Sequence, residues 1–113
     1  MKALTKIVMV IIVAFLSNNI NAQNINKITK VTIKVPVQCG MCKTKIEKNI
    51  GFEKGVKEVI VDLTTKEVTI EYIPEKTNPE NLRLAISKLG YDADDVAADT
   101  KAYNKLPACC KKP

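Results

Sequence analysis

Hydrophobic and polar residues alternate along three stretches of the chain, with the period of two that is typical of half-buried strands. The first alternating stretch covers residues 31–37, and the next two cover 59–63 and 68–72. A short polar connection at residues 64–66 joins the second stretch to the third, which predicts a β-hairpin. A weaker stretch, 91–96, contains three aspartates and predicts a last strand.

Two further stretches place apolar residues at helical spacing. In the first, Cys42, Ile46 and Ile50 recur at steps of four, so Cys42 falls in the first helical turn. The second has its apolar stripe at Leu82, Ala85, Ile86 and Leu89, after the capping residue Asn78. The order strand, helix, strand, strand, helix, strand predicts an α+β fold of the ferredoxin-like βαββαβ type, with a four-stranded antiparallel sheet and two helices on one face. Residues 98–113 show no periodicity and predict a flexible tail.

The first 22 residues differ from the rest of the chain. Lys2 and Lys6 precede a ten-residue apolar run at 7–16, and a short polar stretch follows it. This order predicts a signal peptide over residues 1–22 that is cleaved on export, so we expect an exported, periplasmic protein. The apolar run is shorter than the roughly 17 to 25 residues of a membrane span, and we therefore expect no stable membrane anchor. Residues 23–28 are a polar lead-in.

Composition and charge narrow the range of partners. The chain of 113 residues is 46% hydrophobic and 27% charged, which fits a single globular domain, expected to be a monomer. Its net charge is +6, yet only 4% of its residues are aromatic, which leaves little surface for base stacking. We therefore expect no nucleic-acid partner, and interpret the lysines as a solvated face that attracts an acidic partner.

The four cysteines lie in two close pairs, Cys39 with Cys42 and Cys109 with Cys110. An even number of cysteines in an exported chain usually indicates structural disulfides. A bridge across two intervening residues adds little stability, however, and adjacent cysteines bridge only through a strained ring. The spacing therefore favours a chemical role for the pairs over a structural one, while bridges between the two pairs remain possible.

Cys39 and Cys42 form the candidate metal site. The start of a helix brings two thiols at this spacing to the same side, and its unpaired N–H groups favour thiolate, as do Lys43 and Lys45. Thiolates bind soft ions, and because the chain has no histidine and zinc normally takes four ligands, one pair favours Cu(I) or Hg(II) over Zn(II) or Cd(II). This predicts a metal-binding protein and not an enzyme. The alternative is a thiol–disulfide redox protein that uses the same CxxC pair.

Three segments together resemble the heavy-metal-associated domain over residues 29–97: VPVQCGMCKTKIEKNI, KGVKEVIVDLTTKEVTIEY and LRLAISKLGYDA. This family includes copper chaperones, domains of metal-pumping P-type ATPases and the periplasmic mercury-binding protein. The resemblance implies that the CxxC thiols are the metal ligands, that Tyr91 lies beside them, and that the partner is a metal-transporting membrane protein or another thiol metal-binding domain. The sequence departs from the family at Val37, where methionine is common. Met41, between the two cysteines, is expected to cover the site.

The second pair, Cys109 and Cys110, is a candidate auxiliary metal site. A last strand of about six residues is roughly 20 Å long. The chain from Val96 to Cys109 spans roughly 20 Å on average, so the tail can return to the first pair. We hypothesise that these thiols share, shield or relay the ion held by the CxxC pair. The rival interpretation is an incidental or oxidised pair at a disordered end.

Overall fold

The computed structural model describes residues 27–112. The predicted signal peptide (1–22) and most of the polar lead-in (23–28) lie outside these residues. The elements are β1 (Thr29–Lys34), α1 (Gly40–Gly51), β2 (Val56–Asp62), β3 (Glu67–Tyr72), α2 (Pro79–Lys88), α3 (Thr100–Asn104) and one turn of 3-10 helix (Ala108–Cys110). Throughout residues 27–112, the helices are too short or too polar to cross a membrane.

The central strand of the sheet is β3, which pairs antiparallel with β1 on one side and with β2 on the other. Val68 lies opposite both Ile33 and Val61, and all three side chains are buried. Because alternate residues of a strand point to the same face, this register collects the apolar residues of the sheet on one face. Ile46 of α1 and Ile86 of α2, both fully buried, pack into the same core. The predicted α+β, ferredoxin-like arrangement is confirmed.

A turn replaces most of the predicted last strand. Ala93 and Val96 form an isolated bridge, and Asp94 between them has a φ of 51°. Aspartate tolerates this left-handed conformation, which interrupts an extended backbone. The turn still lies beside β1, because Lys34 donates its N–H to the Asp94 carboxylate at 2.8 Å and Asp94 donates its N–H to the Lys34 carbonyl at 2.9 Å. Within the described residues the sheet therefore has three strands, with a bridge where the fourth was expected.

Residues 98–112, the C-terminal segment, fold against the domain, so the prediction of a tail without regular structure is wrong. The carboxylate of Asp99 caps α3, and the N–H of Asp99 donates to the carbonyl of Ser87 at 3.0 Å. Leu106 and Cys110 are each 4% exposed and belong to the core. The sequence signal for this segment is one capping residue before a five-residue helix, which is too short to show a periodic pattern.

The C-terminal segment approaches the end of α2 closely at Gly90. Gly90 has a φ of +103°, and a Cβ atom there would lie 2.8 Å from the backbone nitrogen of Tyr103. Further along, Tyr103 accepts a hydrogen bond through its hydroxyl from the N–H of Lys112 at 3.0 Å. The ammonium of Lys112 also pairs with the carboxylate of Asp92. These contacts return the chain to α1, which the 3-10 turn touches.

Candidate metal site

Residues 39–42, the CxxC segment, lie where α1 begins. Cys39 is the N-cap residue, with extended backbone angles (φ −147°, ψ 172°), and its carbonyl accepts a hydrogen bond from the N–H of Cys42 at 3.1 Å. The side chain of Cys42 is fully buried, whereas that of Cys39 is half-buried. Their Sγ atoms lie 3.6 Å apart. The start of the helix thus brings together the two cysteines that the sequence indicated as ligands.

The C-terminal segment carries the second cysteine pair to the same place. Cys110 forms a disulfide with Cys42, which lies 68 residues earlier in the chain. The thiol of Cys39 donates a hydrogen bond to the sulfur of the exposed Cys109 at 2.9 Å. The Sγ atoms of Cys39 and Cys110 are 3.9 Å apart. We call these four residues the sulfur cluster.

The spacing of the cysteines argued against bridges within a close pair and left bridges between the pairs possible, and the disulfide is of the second kind. Neither close pair is bridged internally, and Cys39 and Cys109 are free. The single bridge joins one member of each pair, with a Cα–Cα distance of 5.7 Å. It can form because the fold buries Cys110 against the first turn of α1, a proximity that sequence spacing does not contain.

Three sulfurs of the cluster are close enough to share one ion. The Sγ atoms of Cys39, Cys42 and Cys110 all lie within 4.8 Å of one another. Sulfur donors select soft ions such as Cu(I), Hg(II), Zn(II) and Cd(II) over hard cations. A ligand must be a thiolate, however, so Cys42 and Cys110 become available only when their disulfide is reduced.

Hydrogen bonding lowers the pKa of the Cys39 thiol. The main cause is the hydrogen bond between this thiol and that of Cys109, followed by the hydrogen bond from the backbone N–H of Cys42. The same bond to Cys39 raises the pKa of Cys109. Lys43 and Lys45, which were expected to favour the thiolate, are not the main cause of the lowered pKa. Of the two free thiols, Cys39 is therefore the first to ionise as the pH rises.

Met41 and Tyr91, both expected beside the site, differ in exposure. Met41 is 60% exposed, and its sulfur lies 3.9 Å from that of Cys109, at the outer side of the cluster. Tyr91 is 2% exposed and lines, together with Cys110, a cavity of about 10 Å³. Burial, and then negative charge at Cys39 and Cys109, raises the pKa of the Tyr91 hydroxyl, which has no hydrogen-bond partner among residues 27–112. Tyr91 is thus a neutral, buried neighbour of the cluster.

Lys66 supports the approach to the site, and sequence reasoning missed it. This residue ends the turn between β2 and β3 with a φ of 57°. Its ammonium donates to the carbonyl of Val37 at 2.6 Å, and its own carbonyl accepts from the N–H of Val35 at 3.0 Å. Both bonds hold the backbone that leads into the CxxC segment. A lysine in a hairpin turn is ordinary, so no sequence signal marks this role.

Comparison with known proteins places the chain among metal-binding domains. The family model for the heavy-metal-associated domain matches residues 32–92. A copper-exporting P-type ATPase of Staphylococcus epidermidis is 38% identical over 74 residues, which are 66% of this chain and 9% of the ATPase. Its counterpart from Staphylococcus aureus is 42% identical over 55 residues, which are 49% of this chain and 7% of the ATPase. The chain therefore spans less than a tenth of the length of these relatives.

Two solved structures share the fold. Oxidised MerP from Ralstonia metallidurans CH34 is 28% identical with a TM-score of 0.57, over 60% of this chain and 96% of MerP. The CopZ metallochaperone is 27% identical with a TM-score of 0.56, over 57% of this chain and 98% of CopZ. The family match includes Cys39, Cys42 and Tyr91, and it ends before the C-terminal segment. Because this match covers more than half of the sequence, and the fold agrees with it, the chain belongs to the heavy-metal-associated domain family.

Proposed function

We propose that this protein is an exported, non-enzymatic carrier of a soft metal ion, with Cu(I) or Hg(II) as its cargo. Cys39 and Cys42 would hold the ion as thiolates and pass it to a thiol metal-binding domain or a metal-transporting membrane protein. The observation that carries the proposal is the pair of sulfur atoms 3.6 Å apart at the N-terminus of α1. Similarity to a metallochaperone and to copper-exporting ATPases supports both the carrier role and copper as cargo.

Ligand exchange is the proposed mechanism of transfer. A thiolate of the partner adds to the ion held by Cys39 and Cys42, an intermediate with one more sulfur ligand forms, and one of the original sulfurs leaves. Cys39 is suited to face the partner, because its side chain is half-buried and its thiol has a lowered pKa, mainly through its hydrogen bond with Cys109. Cys42 is fully buried and would be the last sulfur to release the ion.

The surface beside the CxxC segment supports an acidic partner. Lys45 and Lys48 of α1 line a shallow depression of about 520 Å³ that Met41 borders. Positive charge at this rim would steer an acidic surface toward the site, and the exposed side chain of Met41 would provide an apolar contact. We therefore propose that the partner docks on the exposed face of α1 beside the CxxC segment.

The central test is the metal content of reduced protein purified without oxygen. Wild type should retain Cu(I) or Hg(II) after removal of excess ion, and a Cys39→Ser, Cys42→Ser double variant should retain almost none. Equal metal content in both proteins would contradict the proposal. Transfer of the ion to an isolated acceptor domain would then distinguish a carrier from a protein that only sequesters metal.

Export is part of the same proposal and rests on residues 1–22. N-terminal sequencing of the protein recovered from the periplasm checks it, with Gln23 expected as the first residue. Recovery of the chain from the cytoplasm with Met1 intact would contradict this part.

A thiol–disulfide redox protein is the second candidate, and one observation favours it. The sulfur of the free Cys39 lies 3.6 Å and 3.9 Å from the two sulfurs of the Cys42–Cys110 disulfide. A thiol beside a disulfide is the arrangement that exchange requires. This candidate predicts catalysed reduction of insulin that depends on Cys39, with no metal bound under reducing conditions. Metal retention without insulin reduction selects the carrier.

A further inference from the structure

We propose that Cys110 is a third sulfur ligand of the metal site, and that the Cys42–Cys110 disulfide is the closed, metal-free form of the same site. The inference rests on the proposed function, and it adds a ligand from outside residues 32–92, the part of the chain that matches the family. The cargo belongs to the same chemical class, a soft ion that accepts three thiolates, and Cu(I) is the probe for testing it.

Two of the three distances between the sulfur atoms already suit three ligands, and the third, between the bonded sulfurs of Cys42 and Cys110, must widen on reduction. With a metal–sulfur bond of about 2.3 Å, sulfurs lie about 3.8 to 4.0 Å apart in a tetrahedral or trigonal site and about 4.6 Å apart in a linear one. The sulfur of Cys39 is 3.6 Å from that of Cys42 and 3.9 Å from that of Cys110. Cys39 is thus already at ligand spacing from both bonded sulfurs, and reduction of the disulfide leaves three thiols around one position.

The fold holds Cys110 in place independently of the disulfide. Leu106 is buried in the core four residues before it, and Gly90 allows the backbone of α3 to approach within contact distance. On the C-terminal side of Cys110, the backbone N–H of Lys112 donates a hydrogen bond to the hydroxyl of Tyr103, and the ammonium of Lys112 pairs with the carboxylate of Asp92. Because these contacts do not involve sulfur, we expect Cys110 to stay beside α1 after reduction. A ligand positioned in advance loses little conformational entropy when it binds.

Metal binding and the disulfide exclude each other, since both use the sulfur of Cys42. A dithiol reductant supplies two electrons and two protons, the bond between the Cys42 and Cys110 sulfurs breaks, and the reductant leaves as its own disulfide. These two thiols and the thiol of Cys39 then lose their protons to solvent as the ion binds. A disulfide compound that accepts two electrons and two protons from the metal-free site reverses the first step, and it leaves as its own dithiol. The redox state of the Cys42–Cys110 pair therefore decides whether the site can bind its ion.

Cys109 provides a matched comparison with Cys110 for the number of sulfur ligands alone, because its hydrogen bond with Cys39 also bears on the affinity of the site. It is the neighbouring residue and the same amino acid, but it is exposed, and its thiol contacts Cys39 and Met41 at the outer side of the cluster. Cys110 is buried and lies within 4.8 Å of both Cys39 and Cys42. If both tail thiols served the site equally, removing either one would change the number of sulfur neighbours of copper to the same extent. The proposal predicts that only removal of Cys110 lowers this number.

The experiment compares wild type, Cys109→Ser, Cys110→Ser and the Cys39→Ser, Cys42→Ser double variant after loading with Cu(I). Each protein is reduced with a phosphine, which is then removed so that no added thiol can bind copper. X-ray absorption at the copper edge should give three sulfur neighbours for wild type and Cys109→Ser, and two shorter copper–sulfur bonds for Cys110→Ser. Competition with a Cu(I) chelator should show about tenfold or more weaker binding for Cys110→Ser, since a third sulfur on the same chain acts at high effective concentration.

The possible outcomes separate this inference from the proposed function. Two sulfur neighbours in wild type, or the same sulfur number and affinity in Cys110→Ser as in wild type, would overturn the role of Cys110 and leave the carrier intact. Equal copper in wild type and the double variant would overturn the proposed function itself. A second measurement needs no variant: in reduced wild type, Cu(I) should slow alkylation of Cys110 and leave that of Cys109 largely unchanged. No protection of Cys110 by copper would also count against the inference.

Discussion

The CxxC segment and the C-terminal segment meet at one site, but they reach it in different ways. Cys39 and Cys42 are three residues apart and are brought together by the first turn of α1 alone. Cys110 comes from 68 residues further along the chain, and it reaches Cys42 only because α3 and Leu106 pack against the domain. A local motif therefore provides one half of the sulfur cluster, and tertiary packing provides the other.

The same difference separates the part of the chain that matches the family from the part that lies outside the match. The family match covers the CxxC segment and stops before residue 98. Perturbing the C-terminal segment should therefore affect stability and the third sulfur, while the CxxC pair of the reduced protein keeps its own capacity to bind metal. The predictions below test this separation, in order of decreasing effect.

Reduction of the disulfide should produce the largest change in stability. A bridge that closes a loop of this length stabilises a fold by about 4 kcal/mol in the chain-entropy model, so a reductant should lower the free energy of unfolding by up to that amount. Urea unfolding of wild type with and without a dithiol measures it. The Cys110→Ala variant should be insensitive to the dithiol, whereas Cys109→Ala should respond as wild type does. An unchanged wild-type curve would show that the bridge is incidental to stability.

Leu106→Ala should remove the main apolar contact of the C-terminal segment with the core. The side chain is 4% exposed, and truncation of a buried leucine to alanine costs about 3 kcal/mol. Unfolding under reducing conditions measures the loss without the disulfide, and exposed Lys105→Ala is the control, with almost no effect expected. Reduced Leu106→Ala should still bind Cu(I) through the CxxC pair. Complete loss of binding in a folded variant would contradict the independence of the two segments.

Gly90→Ala should displace α3 from the end of α2. The added Cβ would meet the backbone of Tyr103 at 2.8 Å, and the residue would be held at a φ of +103°, so we expect a loss of about 1 to 3 kcal/mol. The disulfide should also form more slowly during oxidation, as measured by trapping of free thiols. Gly51→Ala is the matched control, because it ends α1 with open space around its Cβ position. Equal effects at the two glycines would contradict the close approach of α3.

Asp92→Asn should have the smallest effect on stability, and this effect should depend on pH. The hydrogen bond from Lys112 is the main cause that lowers the pKa of the Asp92 carboxyl. A lowered folded-state pKa means that the stabilisation is present above the ordinary carboxyl pKa, near 4, and is lost as the pH falls through the folded value. Asp92→Asn should therefore cost less than about 1 kcal/mol near neutral pH. Thermal unfolding from pH 3 to 8 should show the gap to wild type closing below about pH 4. A gap that is constant down to pH 3 would assign the loss to something other than charge.

The sequence predicted most of the fold, because most of its elements follow from local rules. The apolar alternation predicted β3, and the cap and stripe predicted α2, where the side chain of Asn78 accepts from the N–H of Asn81 at 2.8 Å. The prediction of a last strand over residues 91–96 was only partly right. Asp94 turns the chain into the left-handed region, and the bonds that keep this turn beside β1 come from Lys34, a residue 60 positions away. A local pattern cannot reveal such a partner.

The candidate site divides in the same way. The proximity of Cys39 and Cys42 could be predicted, since residues at the start of a helix have fixed relative positions. The position of Cys110 could not, because it depends on the burial of Leu106 and on the clearance at Gly90. The sequence showed only that the C-terminal segment was long enough to bring the second cysteine pair back to the first. Lys66 was missed for the same reason, as its contact with the Val37 carbonyl is made across the fold.

By itself the sequence determined the order of the elements, the ferredoxin-like class and the thiol pair at the head of α1. These features depend on periodicity, capping and the geometry of one helical turn, which act within a few residues of each other. Only the tertiary structure decided which cysteine of the second pair meets the first, and that Cys42 and Cys110 form a disulfide. Those outcomes depend on long-range burial, which positions a side chain through many weak contacts that no short stretch of sequence contains.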